Sequence, residues 1–259
     1  MSKEGLVSVI MPSYNCGKYV EDTIRSVQAQ TYQNWEIIFI DDCSTDDSVK
    51  IVAGLREKDS RIRLFQNKIN SGAAVSRNNA LQEARGRWIA FLDSDDLWEP
   101  TKMEKQVRFM EENRYKFSYT CYQEMDADGV LTDVVVSGPK HVTKRGMYSF
   151  CWPGCLTVMY NAEAIGMVKI EDIKKNNDYA MWLKVCKKAD CYLLPEVLAK
   201  YRRGRRGSVS SHGIITMIGW HFKLWHEAEK RSVVASLWLT AVNLVCGFYK
   251  KMRYVKKHE

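Results

Sequence analysis

The chain has no C-x-x-C pair and no Cys/His spacing suited to a metal, so its eight scattered cysteines exclude a zinc domain. Cys151 and Cys155 read as core thiols. The start, Met1-Ser2-Lys3-Glu4-Gly5, lacks the apolar region of a signal peptide, and the expectation is a cytoplasmic chain with reduced cysteines. Internal repeats and low-complexity linkers are also missing. The longest apolar stretch, Val233 to Tyr249, runs 17 residues and is broken by Ser236, Thr240, Asn243 and Gly247. That falls short of the roughly 20 residues of a membrane-spanning helix. Basic excess is missing from the main body: residues 1–200 carry 27 Lys+Arg against 28 Asp+Glu, whereas residues 201–259 carry 12 against 3, together the 39 and 31 of the chain. This excludes a nucleic-acid-binding body and leaves an anionic partner, such as the inner face of the cell membrane, to the tail alone.

What is present is a 46% apolar chain able to bury a sizeable core. Leu6 to Met11 reads as a strand stopped by Pro12, and Tyr19 to Gln30 as a helix facing inward through Val20, Ile24 and Val27. Trp35 to Ile40 is a second strand, after which Ser44 with Asp47 would cap a helix carrying Val49, Val52 and Leu55. Ile62 to Phe65, a helix from Gly72 to Ala84, and Trp88 to Leu92 complete four strand–helix alternations. Such alternation implies an α/β domain with a doubly wound, mainly parallel sheet.

Beyond residue 100 the order loosens. A helix from Lys102 to Asn113 is expected, then strands Phe117 to Tyr122 and Val130 to Val136 around the turn Asp126-Ala127-Asp128-Gly129, as antiparallel additions. Ser137 to Tyr148 reads as loop and Leu156 to Tyr160 as a strand; Asn177 would cap a helix from Asp178 to Ala189, followed by a strand from Cys191 to Leu194. From Gly213 the pattern is helical. Boundaries are expected at 1–205 for a catalytic domain and 206–259 for a basic helical extension whose apolar stretch suits a membrane interface.

Three strand ends carry polar groups: Pro12-Ser13-Tyr14-Asn15, Asp41-Asp42, and Asp93-Ser94-Asp95-Asp96. In a parallel sheet these ends share one edge, where ligands of open α/β folds bind. Carboxylates so close repel unless a cation lies between them, and hard oxygen ligands suit Mg²⁺ or Mn²⁺ held together with a diphosphate. A solvated turn capping the next helix is the competing reading. Tyr14 could stack on a nucleobase and Asp41 or Asp42 could accept its N–H.

The stretches Val7 to Asn15, Ile40 to Asp46, Asn70 to Asn78 and Phe91 to Asp96 together resemble the family 2 inverting glycosyltransferases, in register over residues 6–202. The polysaccharide-assembly enzymes of that family look closest, through Gly154 to Tyr160 and Leu198 to Arg202. The resemblance implies a GT-A fold, a nucleotide-diphosphate sugar donor such as a UDP-sugar, a divalent metal, and a surface-glycan or lipid-linked acceptor. By position, Pro12, Tyr14 and Asp42 would hold the base, Arg77 and Asp93 would lie near the nucleotide, and Asp95 would bind the metal. Asn177-Asp178 resembles the acidic motif that opens a helix in these enzymes, with Asp178 matching the base and Asn177 replacing the usual Glu. A helix-start aspartate favoured by the dipole is the plainer alternative. His212 could add a metal or diphosphate contact, and an arginine of residues 202–206 could touch phosphate.

Two enzymatic rivals and one non-enzymatic rival stand beside this. A haloacid-type phosphatase places its Asp-x-Asp after the first strand, not the fourth. A sugar nucleotidyltransferase needs an early Gly-rich basic loop that the chain lacks. A nucleotide-sugar-binding subunit without turnover would not need both Asp95 and Asp178.

Overall fold

The computed structural model describes residues 5–173, 175–204 and 214–257. The first half alternates: β1 (Val7–Ser13), α1 (Val20–Gln28), β2 (Trp35–Asp41), α2 (Ser48–Lys58), β3 (Ile62–Gln66), α3 (Ala73–Glu83) and β4 (Trp88–Phe91). Every residue of β1, β2 and β4 is buried. Strands covered on both faces need continuous apolar runs, which is why these read as unbroken Val/Ile/Phe stretches. They lie in the order β3-β2-β1-β4, all parallel.

The second half holds β5 (Leu97–Trp98), α4 (Lys102–Glu112), β6 (Phe117–Met125), β7 (Leu131–Val136), β8 (His141–Val142), α5 (Lys144–Ser149), β9 (Met159–Asn161), α6 (Ala162–Ile165), α7 (Asn177–Cys186), β10 (Cys191–Arg202), α8 (Ile214–Lys223), α9 (Val233–Tyr254) and β11 (Val255–Lys257). Past β4 the sheet turns antiparallel through β9, β6, β7 and β11. β10 runs parallel to β6 and antiparallel to β5 and β8. The mixed, mainly parallel α/β sheet expected for a GT-A fold is therefore present.

Each face of the sheet carries its own core. Val9, Ile37, Phe39 and Ala90 meet Ile24, Val52, Met103 and Val107 of α1, α2 and α4. On the other face Ile10, Ile38 and Phe91 meet Leu81 of α3, Trp182 of α7, and Leu224 and Trp225 beyond α8. The basic C-terminal segment thus shares the main core.

Several local expectations are corrected. Ser44 does not cap α2: its hydroxyl accepts the Asn15 amide at 2.9 Å, and Asp46 instead receives the Ser48 amide at 3.0 Å. The stretch 137–148 contains β8 and the start of α5, whose cap Thr143 accepts from the Gly146 amide. Residues Cys155–Thr157 form a 3-10 turn ahead of the short β9. α7 begins at Asn177, after Asn176 in the left-handed conformation (φ 59°), so Asn177 is the first helical residue and not the cap. α9 spans 22 residues, because Lys250 to Tyr254 continue it, and is long and apolar enough to cross a membrane by length and composition.

One buried charge bears on stability. Lys102, fully buried at the start of α4, sets its Nζ 3.7 Å from the Trp98 ring centroid, and among the described residues that Nζ has no hydrogen-bond partner. Burial holds its pKa well below the ordinary lysine value. An indole face offsets about 2 kcal/mol or somewhat more of this, less than the several kcal/mol that desolvating an ammonium costs. Between the folded pKa and the unfolded value the denatured chain binds the extra proton, so this group makes stability rise with pH. Lys102→Met is expected to stabilise the protein at pH 7 by on the order of 1–3 kcal/mol in urea unfolding. The advantage should shrink toward pH 10; a variant less stable at pH 7 would contradict this account.

Candidate active site

Register brings the polar strand ends together. Ser13 of β1 faces Asp41 of β2, the Asp42 amide donates to the Ser13 carbonyl at 2.8 Å, and the Leu92 amide donates to Ile10 at 3.1 Å. The loops after β1 and β2 are laced together: Asn15, at positive φ, accepts the Thr45 amide at 2.8 Å, and Asp46 accepts the Gly17 amide at 2.8 Å. Tyr14 stands out from this rim with 47% of its surface exposed, the state a stacking ring needs. Pro12 is buried within β1, which continues through it to Ser13.

Asp41 and Asp42 are both buried and both organise backbone. Asp41 accepts the Ser44 amide at 3.0 Å, with its second oxygen unpartnered and sealed from solvent. Asp42 accepts from Asn67 at 2.7 Å and from the Ser71 and Gly72 amides at 2.8 and 2.7 Å. It therefore fixes the loop that leads into α3, where Gly72 holds φ 85°.

α3 delivers Arg77. This guanidinium, 7% exposed, donates to Asp93 at 2.6 Å and to the Asn177 side-chain oxygen at 3.1 Å. Burial alone would lower its pKa, but Asp93, Cys155 and Asp178 outweigh burial and raise it, so it stays charged. One cation thus joins the end of β4 to the mouth of α7, whose Asn177 lies 100 residues after Arg77 in the chain. Packing sets the same register: Trp182, one turn after Asp178, meets Phe91 edge-on at 5.2 Å and 79°, and Phe91 lies two residues before Asp93. Such a pair is worth roughly 0.5–1.5 kcal/mol beyond its buried area.

Asp178 is partly buried. Burial raises its carboxyl pKa, while Arg77 and the Tyr179 amide, which donates at 2.8 Å, pull it back down. A carboxyl raised toward neutrality and held by a cation can accept a proton from a hydroxyl. Asp93 acts on Asp178, and Asp93 and Asp95 act on Asp96, so these carboxylates are electrostatic neighbours. Asp96 is driven well above the usual carboxylate range by burial, then by Asp95 and Asp93, and it accepts the Arg202 amide at 2.8 Å. Its part is to orient β10.

Asp95, half-buried in the same turn, has its carbonyl held by the Arg202 guanidinium at 2.8 Å. Among the described residues no group of three or more His, Cys, Asp or Glu gathers in metal-binding geometry. A hard carboxylate of this kind fits a divalent cation when phosphate oxygens complete the coordination sphere. Arg202 also donates to the Ala127 carbonyl at 3.2 Å, and Arg203 pairs with Glu124 at 3.0 Å. Both arginines are thus committed to protein partners, and His212, Arg205 and Arg206 lie outside the described residues. The Arg77–Asn177 link carried no local signal in the sequence.

A family model described as glycosyl transferase family 2 matches residues 8–140. The chain is 40% identical over 234 residues to TuaG of Bacillus subtilis (strain 168), a glycosyltransferase assigned to teichuronic acid biosynthesis, covering 90% of this chain and 92% of that one. It is 36% identical to WfaP of Escherichia coli, a UDP-Glc:alpha-D-GlcNAc-diphosphoundecaprenol beta-1,3-glucosyltransferase, covering 98% and 95%. The fold is similar to that of S. aureus TarS 1–349 in complex with UDP-GlcNAc, with a TM-score of 0.71 at 21% identity, over 95% of this chain and 74% of that one.

Proposed function

Because the chain belongs to glycosyl transferase family 2, and so moves a sugar from a nucleotide-diphosphate donor to a glycan acceptor, we propose that Asp178 is its general base and Asp95 its metal ligand. The supporting observation is the Arg77 bridge, which ties Asp93, at the end of β4, to Asn177 at the start of α7. In this reading the acceptor hydroxyl attacks the anomeric carbon from the face opposite the diphosphate. Asp178 takes its proton, the new glycosidic bond forms, and the old carbon–oxygen bond breaks with its electron pair on the nucleoside diphosphate. A Mg²⁺ or Mn²⁺ ion at Asp95, when bound, supplies charge stabilisation for that leaving group. In this reading Tyr14 at the rim stacks on the base, with Pro12 buried in β1 just before it and Asp42 and Asp41 shaping the neighbouring loops. The donor and acceptor that WfaP is named for support a UDP-sugar donor and a lipid-linked acceptor.

The same reading puts the enzyme at a membrane surface, on the cytoplasmic side. α9 is inside out: its buried residues are Ser236, Thr240 and Asn243, while Val234, Trp238, Val245, Phe248 and Met252 are each at least 67% exposed. A water-exposed helix has the opposite polarity. Exposed Lys230 and Arg231 precede this apolar face, and Lys251, Arg253, Lys256 and Lys257 follow it. Apolar face and basic ends together suit an anionic bilayer interface, each basic residue adding about 1 kcal/mol near the surface. A lipid-linked acceptor would be met there.

Asp178→Asn is expected to keep UDP affinity while turnover drops about 10²–10⁴-fold; unchanged turnover would remove Asp178 from the chemistry. In sedimentation with phosphatidylglycerol vesicles, Trp238→Glu combined with Phe248→Glu should weaken binding by roughly tenfold or more, with thermal stability kept. Equal binding by both proteins, or none by the unsubstituted one, would contradict the membrane reading.

A further inference from the structure

The inner face of α9 is a polar seam that ends at the Asp178 helix. Ser236, Thr240, Asn243, Gly247, Lys250 and Tyr254 recur at alternating steps of four and three, the period that keeps one line of a helix against its partner. Asn243, with no solvent exposure, is bonded on several sides. It accepts the Trp225 indole N–H at 3.0 Å and donates to the Ser149 and Tyr148 carbonyls at 2.7 and 3.1 Å, with the Tyr179 hydroxyl at 3.3 Å. One turn later Gly247 lets the Phe150 ring approach so closely that an added Cβ would stand 2.9 Å from it. Lys250 then donates to the Trp152 carbonyl at 2.8 Å. Tyr179 follows Asp178 directly; its amide donates to the Asp178 carboxylate and its hydroxyl to the Met147 carbonyl at 2.7 Å.

A seam built only for stability would be apolar, since a buried amide contributes little net even when every hydrogen bond is made. Here the polar groups hold specific carbonyls of residues 148–152, the end of α5 and the segment that leads from it toward the 3-10 turn at Cys155. We propose that Asn243 is a positioning residue for sugar transfer: through Tyr179 and the 148–149 carbonyls it fixes Asp178 and the neighbouring loop to the membrane-facing helix. Seating of α9 on the bilayer and competence of the site are then set by one polar node. The inference rests on Asp178 as the base.

The test uses the full chain with phosphatidylglycerol vesicles, reading UDP release from the UDP-sugar that the unsubstituted protein turns over, with UDP binding and vesicle sedimentation alongside. Asn243→Ala should keep vesicle binding and hold UDP affinity within about twofold, while kcat falls roughly ten- to a hundredfold. Thr240→Ala, on the same seam but with an unpartnered hydroxyl, should leave all three readouts unchanged. Should Asn243→Ala fail to fold, near-isosteric Tyr179→Phe breaks the same link and should lower kcat in the same direction. An unchanged kcat, or a kcat that falls only in step with UDP and vesicle binding, overturns the proposal. If Asp178→Asn stays active the base assignment fails; if Asp178→Asn is inactive while Asn243→Ala keeps its kcat, only the positioning role of Asn243 fails.

Discussion

A buried guanidinium holds this site together. Arg77 lies near the N-terminal end of α7, where the helix dipole disfavours positive charge, and it is nearly sealed from water. Asp93, Cys155 and Asp178 make that position tenable for a cation. In return the cation joins a strand end to a helix start and lowers the pKa of Asp178, the proposed base, which burial would otherwise raise further. Removing it would leave two partly buried acids without their shared counter-charge, so the packing of Phe91 on Trp182 and the electrostatics of the site depend on the same group.

Behind this centre the C-terminal helix reverses the usual logic of burial. Polar side chains of α9 turn inward because backbone carbonyls of residues 148–152 are waiting for donors, and apolar ones turn outward. β11 then pins the end of the chain against β7, with Val255 opposite Val136. The basic residues are therefore presented from an anchored segment next to the outward-facing apolar surface.

Much of this was legible in residue order. Unbroken runs such as Trp35 to Ile40 and Trp88 to Leu92 announced doubly covered strands, and the polar residues that end them had to share an edge once the sheet was parallel. What escaped was set by tertiary contact. Asn177 looked like a cap because Asn favours that position, but Asn176 takes the left-handed turn and frees Asn177 to meet Arg77. Ser44 was drawn away from α2 by the Asn15 amide across the rim. In the sequence Ser236, Thr240, Asn243 and Gly247 interrupt an apolar run. Their steps of four and three were the available signal that they formed a face.

The central claim is that Arg77 tunes Asp178, and the pH dependence of kcat/KM reads it most directly. The acid limb of that profile reports the pKa of the essential base in the free enzyme. With Arg77→Gln the nearby positive charge is gone, the Asp178 pKa rises, and the limb should move to higher pH in a protein that still folds. A limb that stays in place or moves to lower pH would contradict the account.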